Sequence, residues 1–596
     1  MIESSQLKRS LIIPFMRRYF GFFLIVVVVF AGFLSACSAK NEEMIDMQTT
    51  VNIESIDFEK SFFKPGSPVN WKVVLKSNVN VELELVARIT YLSEVLDEKS
   101  QTVSFGPGIV SLEMSWLPPT NTPRGYGLDC RLDTLQGETL AVQFSAFDVL
   151  EHWTQHPRYG FLTDFSPERE STDALDTLLK FHINGLQFYD WMYRHDQYLT
   201  DQEPYIDPLG RQLSLKTVEK LIDAAHQRNM AAMPYTAVYA SSISFYETHK
   251  EWALYQPDGT PHYFGENFLV IMDPRPESLW TSHLLNEFEN ILTKTNFDGI
   301  HLDQYGAPKQ GYDVHGNNFS LEQPLADLID ATHVIVDQQR GDDGAVIFNA
   351  VTNWPIDVVA PSQEDIVYIE VWPPYTSFND LSNLVLQGQE LGGGKPVVLA
   401  AYIDPFYETN ALLIDAIILA NGAGHIEMGE KGGYLADPYF PQFAIPSMQL
   451  STALERYYTF AVRYQNVIGP QTRSGNRGYG QNLSIAGVNT ASGMLYDKVM
   501  PVIRESEDHL VISLINLLGL PSGEWEVGIN GAPTPLDQVS LELKELDKDI
   551  QSVWFATPDK EDFSLVPLEF ELEQGVLTLT VPHLDYWGMI LLKWSD

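Results

Sequence analysis

Between residues 151 and 487 the chain alternates short apolar runs with amphipathic helical stretches, and this repeat constrains the fold more than any other feature. The strand pattern falls on 159–164, 185–191, 231–239, 299–305, 345–350, 366–372, 396–403 and 424–429. Most of these runs are followed by a helical period, as in 214–229 and 276–294, where apolar side chains return every three to four residues. A strand followed by a helix reaches its neighbour by a crossover, which makes the sheet parallel. Two architectures accept such a repeat, the open doubly wound sheet and the closed barrel. No glycine-rich phosphate loop opens a helix after the first run, which weighs against the open sheet. Eight units in about 330 residues fit a (β/α)8 TIM barrel.

The flanks read differently. Residues 51–150 contain short alternating runs such as Val81-Glu82-Leu83-Glu84-Leu85, the period of strands with one buried face. Their spacing predicts an N-terminal immunoglobulin-like β-sandwich. Residues 488–596 return to short strands and predict a C-terminal antiparallel β domain. The expected chain is therefore multidomain, a central barrel between two β modules.

The first residues read as an address. Lys8, Arg9, Arg17 and Arg18 precede an apolar run over 20–34, which ends in Leu34-Ser35-Ala36-Cys37. This pattern resembles a bacterial lipobox, so 1–36 is expected to be a lipoprotein signal peptide and Cys37 its lipidated residue. Residues 37–50 then tether the protein to the membrane, and an extracytoplasmic, cell-envelope location follows. Cys130 is the one other cysteine, so no intrachain disulfide is expected. The formal charge of −41 makes nucleic acid and anionic lipid surfaces poor partners, whereas a neutral polysaccharide meets no such repulsion.

In a (β/α)8 barrel, chemistry sits at the C-terminal ends of the strands. Those ends carry Asp164, Asp190, Asp303, Glu370, Glu427 and Glu430, with almost no positive charge among them. Crowded carboxyls repel one another, and one can then stay protonated near neutral pH. Glycoside hydrolysis uses such a pair. Two strand ends stand out. In Phe297 to Gly306, His301, Asp303 and Tyr305 share a face; in Ile366 to Pro373, Glu370 is followed by Trp372, a flat platform for a sugar ring. Either acid alone could equally be an ion-paired or capping carboxylate. Tyr189, Asp190, Trp191, Arg194 and His195 form a dense aromatic and polar mixture after the second run, as sugar sites do. His195 and Asp196 are adjacent on one loop without a second cluster, so no metal is expected. No Gly-x-Ser-x-Gly elbow occurs, which removes the serine hydrolase reading.

The segments His182 to Trp191, Phe297 to Gly306, Tyr368 to Pro373 and Ala420 to Glu430 resemble glycoside hydrolase family 66. That family contains endo-dextranases and cycloisomaltooligosaccharide glucanotransferases, which act on α-1,6-linked glucan. The resemblance implies a retaining mechanism with Asp303 as nucleophile and Glu370 as general acid/base. It also implies substrate contacts by Asp190, Trp191, His195, His425 and Glu427, to which Gln304 and Tyr305 are added from the nucleophile strand. Cyclising members carry a long inserted module late in the barrel. Here the runs 396–403 and 424–429 follow one another too closely to hold one, so hydrolysis of dextran is the expected reaction. No cofactor is implied, and a monomer is expected. The alternatives are a glucanotransferase or other α-glucan transglycosylase, and a non-catalytic glycan-binding lipoprotein.

Overall fold

The computed structural model describes residues 50–595. The expected signal peptide, the expected lipobox with Cys37 and nearly all of the expected tether lie outside them. No helix among the described residues is long and apolar enough to cross a membrane.

All eight runs form strands: β1 (Tyr159–Leu162), β2 (Gly185–Phe188), β3 (Ala231–Ala237), β4 (Gly299–Asp303), β5 (Ala345–Val351), β6 (Ile366–Glu370), β7 (Val397–Ala400) and β8 (Gly424–His425). They pair in parallel, each with its sequence neighbour. The ring is closed by a parallel bridge between Phe161 and Gly429, where the Phe161 N–H donates to the Met428 carbonyl at 3.3 Å. The chain is thus a (β/α)8 barrel flanked by antiparallel sheets. Most strands stop short of the sequence pattern, because the acidic and aromatic residues at their ends leave the ladder to become the loops of the mouth. At the opposite end, Gly299 begins β4 where a Cβ would lie 1.8 Å from the Ala345 carbonyl oxygen, so only glycine lets β4 and β5 start side by side.

Inside the ring, Tyr159, Phe161, Met233, Ile347, Tyr368, Val398 and Ile426 fill the centre, while the outer faces of the strands pack against the helices. Before the barrel, seven strands over 51–149 form sheets of three and four strands. In Val69–Ser77, Val69, Trp71, Val73 and Leu75 are buried while alternate residues are not, the pattern of one core-facing side. After the barrel, sheets of six and four strands enclose a separate apolar core.

The three regions are tied together by buried polar contacts. Arg158, just before β1, donates to both carboxylate oxygens of Asp148 at 2.9 and 3.2 Å, and to the carbonyls of Ser61 and His182. Arg158 and Asp148 are 2% and 0% exposed. Removing one member of such a pair strands the other charge without water. Arg158→Met is therefore expected to lower stability by about 3–5 kcal/mol. Denaturant unfolding of the two proteins checks this, and a much smaller loss would assign the junction to apolar contact instead. On the other side, the helix Met448–Ile468 presents Arg463 to Asp129 of the sandwich at 2.5 Å and Tyr464 to the Phe563 carbonyl of the C-terminal region at 2.8 Å. Cys130 is buried, and burial raises its thiol pKa well above the ordinary value.

Candidate active site

The loops at the C-terminal ends of the strands surround a cleft of about 770 Å³. Asp303 is the last residue of β4 and Glu370 the last of β6, so one strand, β5, stands between them. That strand contributes Asn349, whose Nδ2 donates to Asp303 Oδ1 at 2.7 Å and to Glu370 Oε2 at 2.8 Å. The two accepting oxygens can therefore lie no farther apart than these two bonds laid end to end. Glu370 also accepts the Tyr402 hydroxyl at 2.9 Å on Oε1.

Burial and the nearby Glu370 charge push the Asp303 carboxyl up to about 7, against the hydrogen bonds from Asn349 and Tyr235. Burial raises Glu370 as well, against donors on Asn349, Tyr402 and Trp372. Two acids so placed cannot both ionise cheaply, because the charge on one opposes ionisation of the other. Asp190 lies farther along the same cleft, raised to about 6 by burial and by Asp207, while Arg211 opposes the shift from 3.3 Å. His195, pushed down to about 4 by burial and by Arg194, is neutral.

Of the residues singled out from the sequence, Tyr189, Asp190, His195, Asp303, Gln304, Tyr305, Glu370 and Trp372 line the cleft. Four others do not. Trp191 is fully buried beside Phe297, with its indole N–H on the Tyr235 carbonyl. Asp190 adopts a left-handed backbone (φ 55°), which breaks the strand alternation and turns Trp191 into the wall. The Arg194 guanidinium folds back over the Tyr193 ring and donates to the Tyr193 and Ile206 carbonyls.

His425 and Glu427 face away from the cleft. Ile426 points into the barrel centre, so its two neighbours point outward to the helix layer, where both are buried. His425 Nδ1 lies 2.8 Å from Asp415 and 3.3 Å from Glu427, and its Nε2 lies 3.2 Å from the Ala401 carbonyl. Burial alone would lower the His425 pKa, but the two carboxylates raise it to about 10. This is the one cluster among the described residues with the make-up of a metal site. The contact from His425 to Asp415 has the length of a hydrogen bond, and both ring nitrogens of an imidazolium would face acceptors.

The acids Asp164 and Glu430 are also structural. Glu430 Oε2 accepts from Arg169 at 2.7 Å and from the backbone of Thr163 and Asp164. Arg169 and Arg211 thus bring to the strand ends positive charge that the local sequence does not reveal, although neither lines the cleft. The sequence pattern does not single out Asn349, Tyr235, Tyr402, Asp207, Phe264, Phe268 or Tyr439. For Asn349 a signal exists: it is an amide within the otherwise apolar Ala345-Val346-Ile347-Phe348-Asn349-Ala350-Val351. The others belong to loops and strands whose faces depend on the closed ring. Gln304 lines the cleft but is occupied in support, with Nε2 on the Asn349 and Trp354 carbonyls.

Comparison with known proteins bears on the family and the fold. The family model of glycosyl hydrolase family 66 matches residues 58–591. A cycloisomaltooligosaccharide glucanotransferase of Niallia circulans is 24% identical, over 91% of this chain and 72% of its own length. A dextranase of Streptococcus salivarius is 21% identical, over 85% and 72% respectively. Among solved structures, a Paenibacillus sp. cycloisomaltooligosaccharide glucanotransferase complexed with cycloisomaltoheptaose superposes with a TM-score of 0.84 at 21% identity, covering 91% of this chain and all of that one. The match along nearly the whole length, through the barrel and both flanking regions, establishes that the chain belongs to glycosyl hydrolase family 66 and is a glycosidase-type enzyme.

Proposed function

We propose that this protein is a retaining endo-dextranase that hydrolyses α-1,6-glucosidic linkages, with Asp303 as nucleophile and Glu370 as general acid/base. The observation that carries the reading is the single amide bonded to both acids, which limits the separation of two of their oxygens to two hydrogen-bond lengths. Retaining enzymes hold their carboxyls roughly 5–5.5 Å apart, and inverting ones leave about 6.5–9.5 Å for a water. Two short bonds to one nitrogen keep the facing oxygens close together, which supports the retaining arrangement. The cleft also suits a neutral sugar chain. The aromatic side chains Tyr189, Tyr235, Tyr305 and Trp372 line it, and among the described residues no lysine or arginine lines it to attract an acidic glycan.

Cleavage starts from ionised Asp303 and protonated Glu370. Positive charge developing at C1 stabilises the anion at Asp303 and leaves the proton on Glu370. Asp303 then attacks C1, the C1–O6 bond breaks, and the Glu370 proton passes to the leaving O6. In the second half Glu370 takes a proton from water, the water oxygen bonds to C1, and Asp303 departs as carboxylate. Hydrolysis is favoured over cyclisation because only the helix Glu408–Ala420 and its loops join β7 to β8, where the family resemblance places the extra module of cyclising members.

The test is incubation of residues 38–596 with dextran, with products resolved by size. A broad early distribution of linear isomaltooligosaccharides is expected. Cyclic products would reassign the protein as a glucanotransferase, and intact dextran beside a degraded α-1,4-glucan would overturn the substrate.

A further inference from the structure

Asn349 occupies an uncommon position for an amide. It is 5% exposed, on the strand between the two acid-bearing strands, and both hydrogens of its Nδ2 are committed to the acids. Its own backbone is fixed, since its carbonyl accepts Gln304 Nε2 at 3.2 Å and the ladder pairs it with Tyr368 on β6. The Oδ1 atom is buried without a hydrogen-bond partner. An amide placed for stability alone would satisfy that oxygen; here the donor side is satisfied at the expense of the acceptor side.

We propose that Asn349 is a positioning residue that keeps one hydrogen bond on an anionic carboxylate at every stage of the double displacement, transferring its strong bond between the two acids. The inference rests on the roles given to Asp303 and Glu370 above. Before cleavage the anion is Asp303, and Nδ2 bonds it strongly while bonding protonated Glu370 weakly. In the glycosyl-enzyme Asp303 is an ester and the anion is Glu370, so the strengths exchange without movement of the amide. After hydrolysis the first arrangement returns. Since a bond to a charged acceptor is about twice as strong as one to a neutral acceptor, the amide follows the charge as it crosses from β4 to β6. The same two bonds tether one oxygen of each acid to a single nitrogen between them. Arg, Lys or an ammonium in this place would pair with both carboxylates at once and hold them both ionised; an amide biases each without fixing either.

Asn349→Asp is the decisive variant, because it keeps the shape while exchanging a donor for a third acidic oxygen. Asn349→Ala removes the donor without adding charge. Both are compared with wild type by thermal unfolding and by the pH dependence of kcat/KM on dextran. The acidic limb of the profile is expected to move up by about one unit in Asn349→Ala, as befits loss of a hydrogen bond to an anion. It is expected to move further in Asn349→Asp, with activity at neutral pH falling roughly 100-fold or more. A folded Asn349→Asp protein with the wild-type profile and rate would overturn the proposal, as would a uniform fall in rate with both limbs unmoved, which is the signature of a packing role. Asp303→Ala and Glu370→Ala serve as separate controls. Should either retain activity, the underlying assignment of the acid pair fails; should both be inactive while Asn349→Asp is unaffected, the pair stands and the role of Asn349 fails.

Discussion

Asp303→Ala is expected to lower dextran cleavage by roughly 10⁴-fold or more, the scale of losing a group that forms a covalent intermediate. Stereochemistry makes the result specific. With azide and an α-isomaltosyl fluoride, whose fluoride leaves without a proton, the vacated space lets azide attack C1 from the side Asp303 occupied. The product is then a β-azide, inverted relative to the substrate. An α-azide would place the nucleophile elsewhere. The variant also has a stability signature. The folded pKa of about 7 lies above the unfolded value of about 3.9, so between these limits the folded state binds more protons. Wild-type stability consequently falls as pH rises through that window, and alanine removes this contribution. The melting temperature of the variant relative to wild type is expected to be higher at pH 8 than at pH 4, and an unchanged difference would contradict the burial of this charge.

With the roles proposed above, Glu370→Ala is expected to divide the two halves of the reaction. On dextran, where the leaving sugar needs a proton, a loss of about 10²–10⁴-fold is expected. On the fluoride, cleavage of the first bond survives, and the glycosyl-enzyme accumulates because no base activates water. Azide, which needs no base, restores turnover and gives an α-azide of retained configuration. The two alanine variants thus yield opposite anomers under one set of conditions. Identical products from both would remove the distinction between nucleophile and acid/base. The hydrogen bonds of Asn349 and Tyr402 end on Glu370, so the variant also leaves two buried donors without their partner. Glu370→Gln keeps acceptance on one oxygen and separates that structural loss from the chemical one.

The barrel can be read from the sequence because a buried parallel strand and its covering helix each carry a local period, and eight repeats reinforce one another. Asp303 and Glu370 are legible for a related reason: they fall near the C-terminal ends of the runs 299–305 and 366–372, where a barrel delivers side chains to its mouth. Faces are harder to read. The run 424–429 reads as strand and would carry His425 and Glu427 to the mouth, yet only Gly424 and His425 join the ladder, and Ile426 takes the inward position. Their true partner, Asp415, comes from the helix Glu408–Ala420, which no local pattern connects to β8. Trp191 leaves its expected place because the left-handed turn at Asp190 reverses the alternation. Asn349 and Tyr402 act across strands, through contacts that exist only after the ring has closed.

The helix Met448–Ile468 bears on how this enzyme can be cut apart. A boundary drawn from sequence after residue 150 looks like a natural place to excise the catalytic region. Excision there would leave the Arg463 guanidinium, 2% exposed in the whole protein, facing solvent across a surface shaped for the sandwich. It would also remove Gly125 and Gly127, whose missing side chains let that helix approach. On the opposite flank the same helix holds the C-terminal sheets through Tyr457 and Tyr464. The cleft thus belongs to the entire described chain rather than to the segment that contains its acids, and a truncated barrel would be a different folding problem from the enzyme.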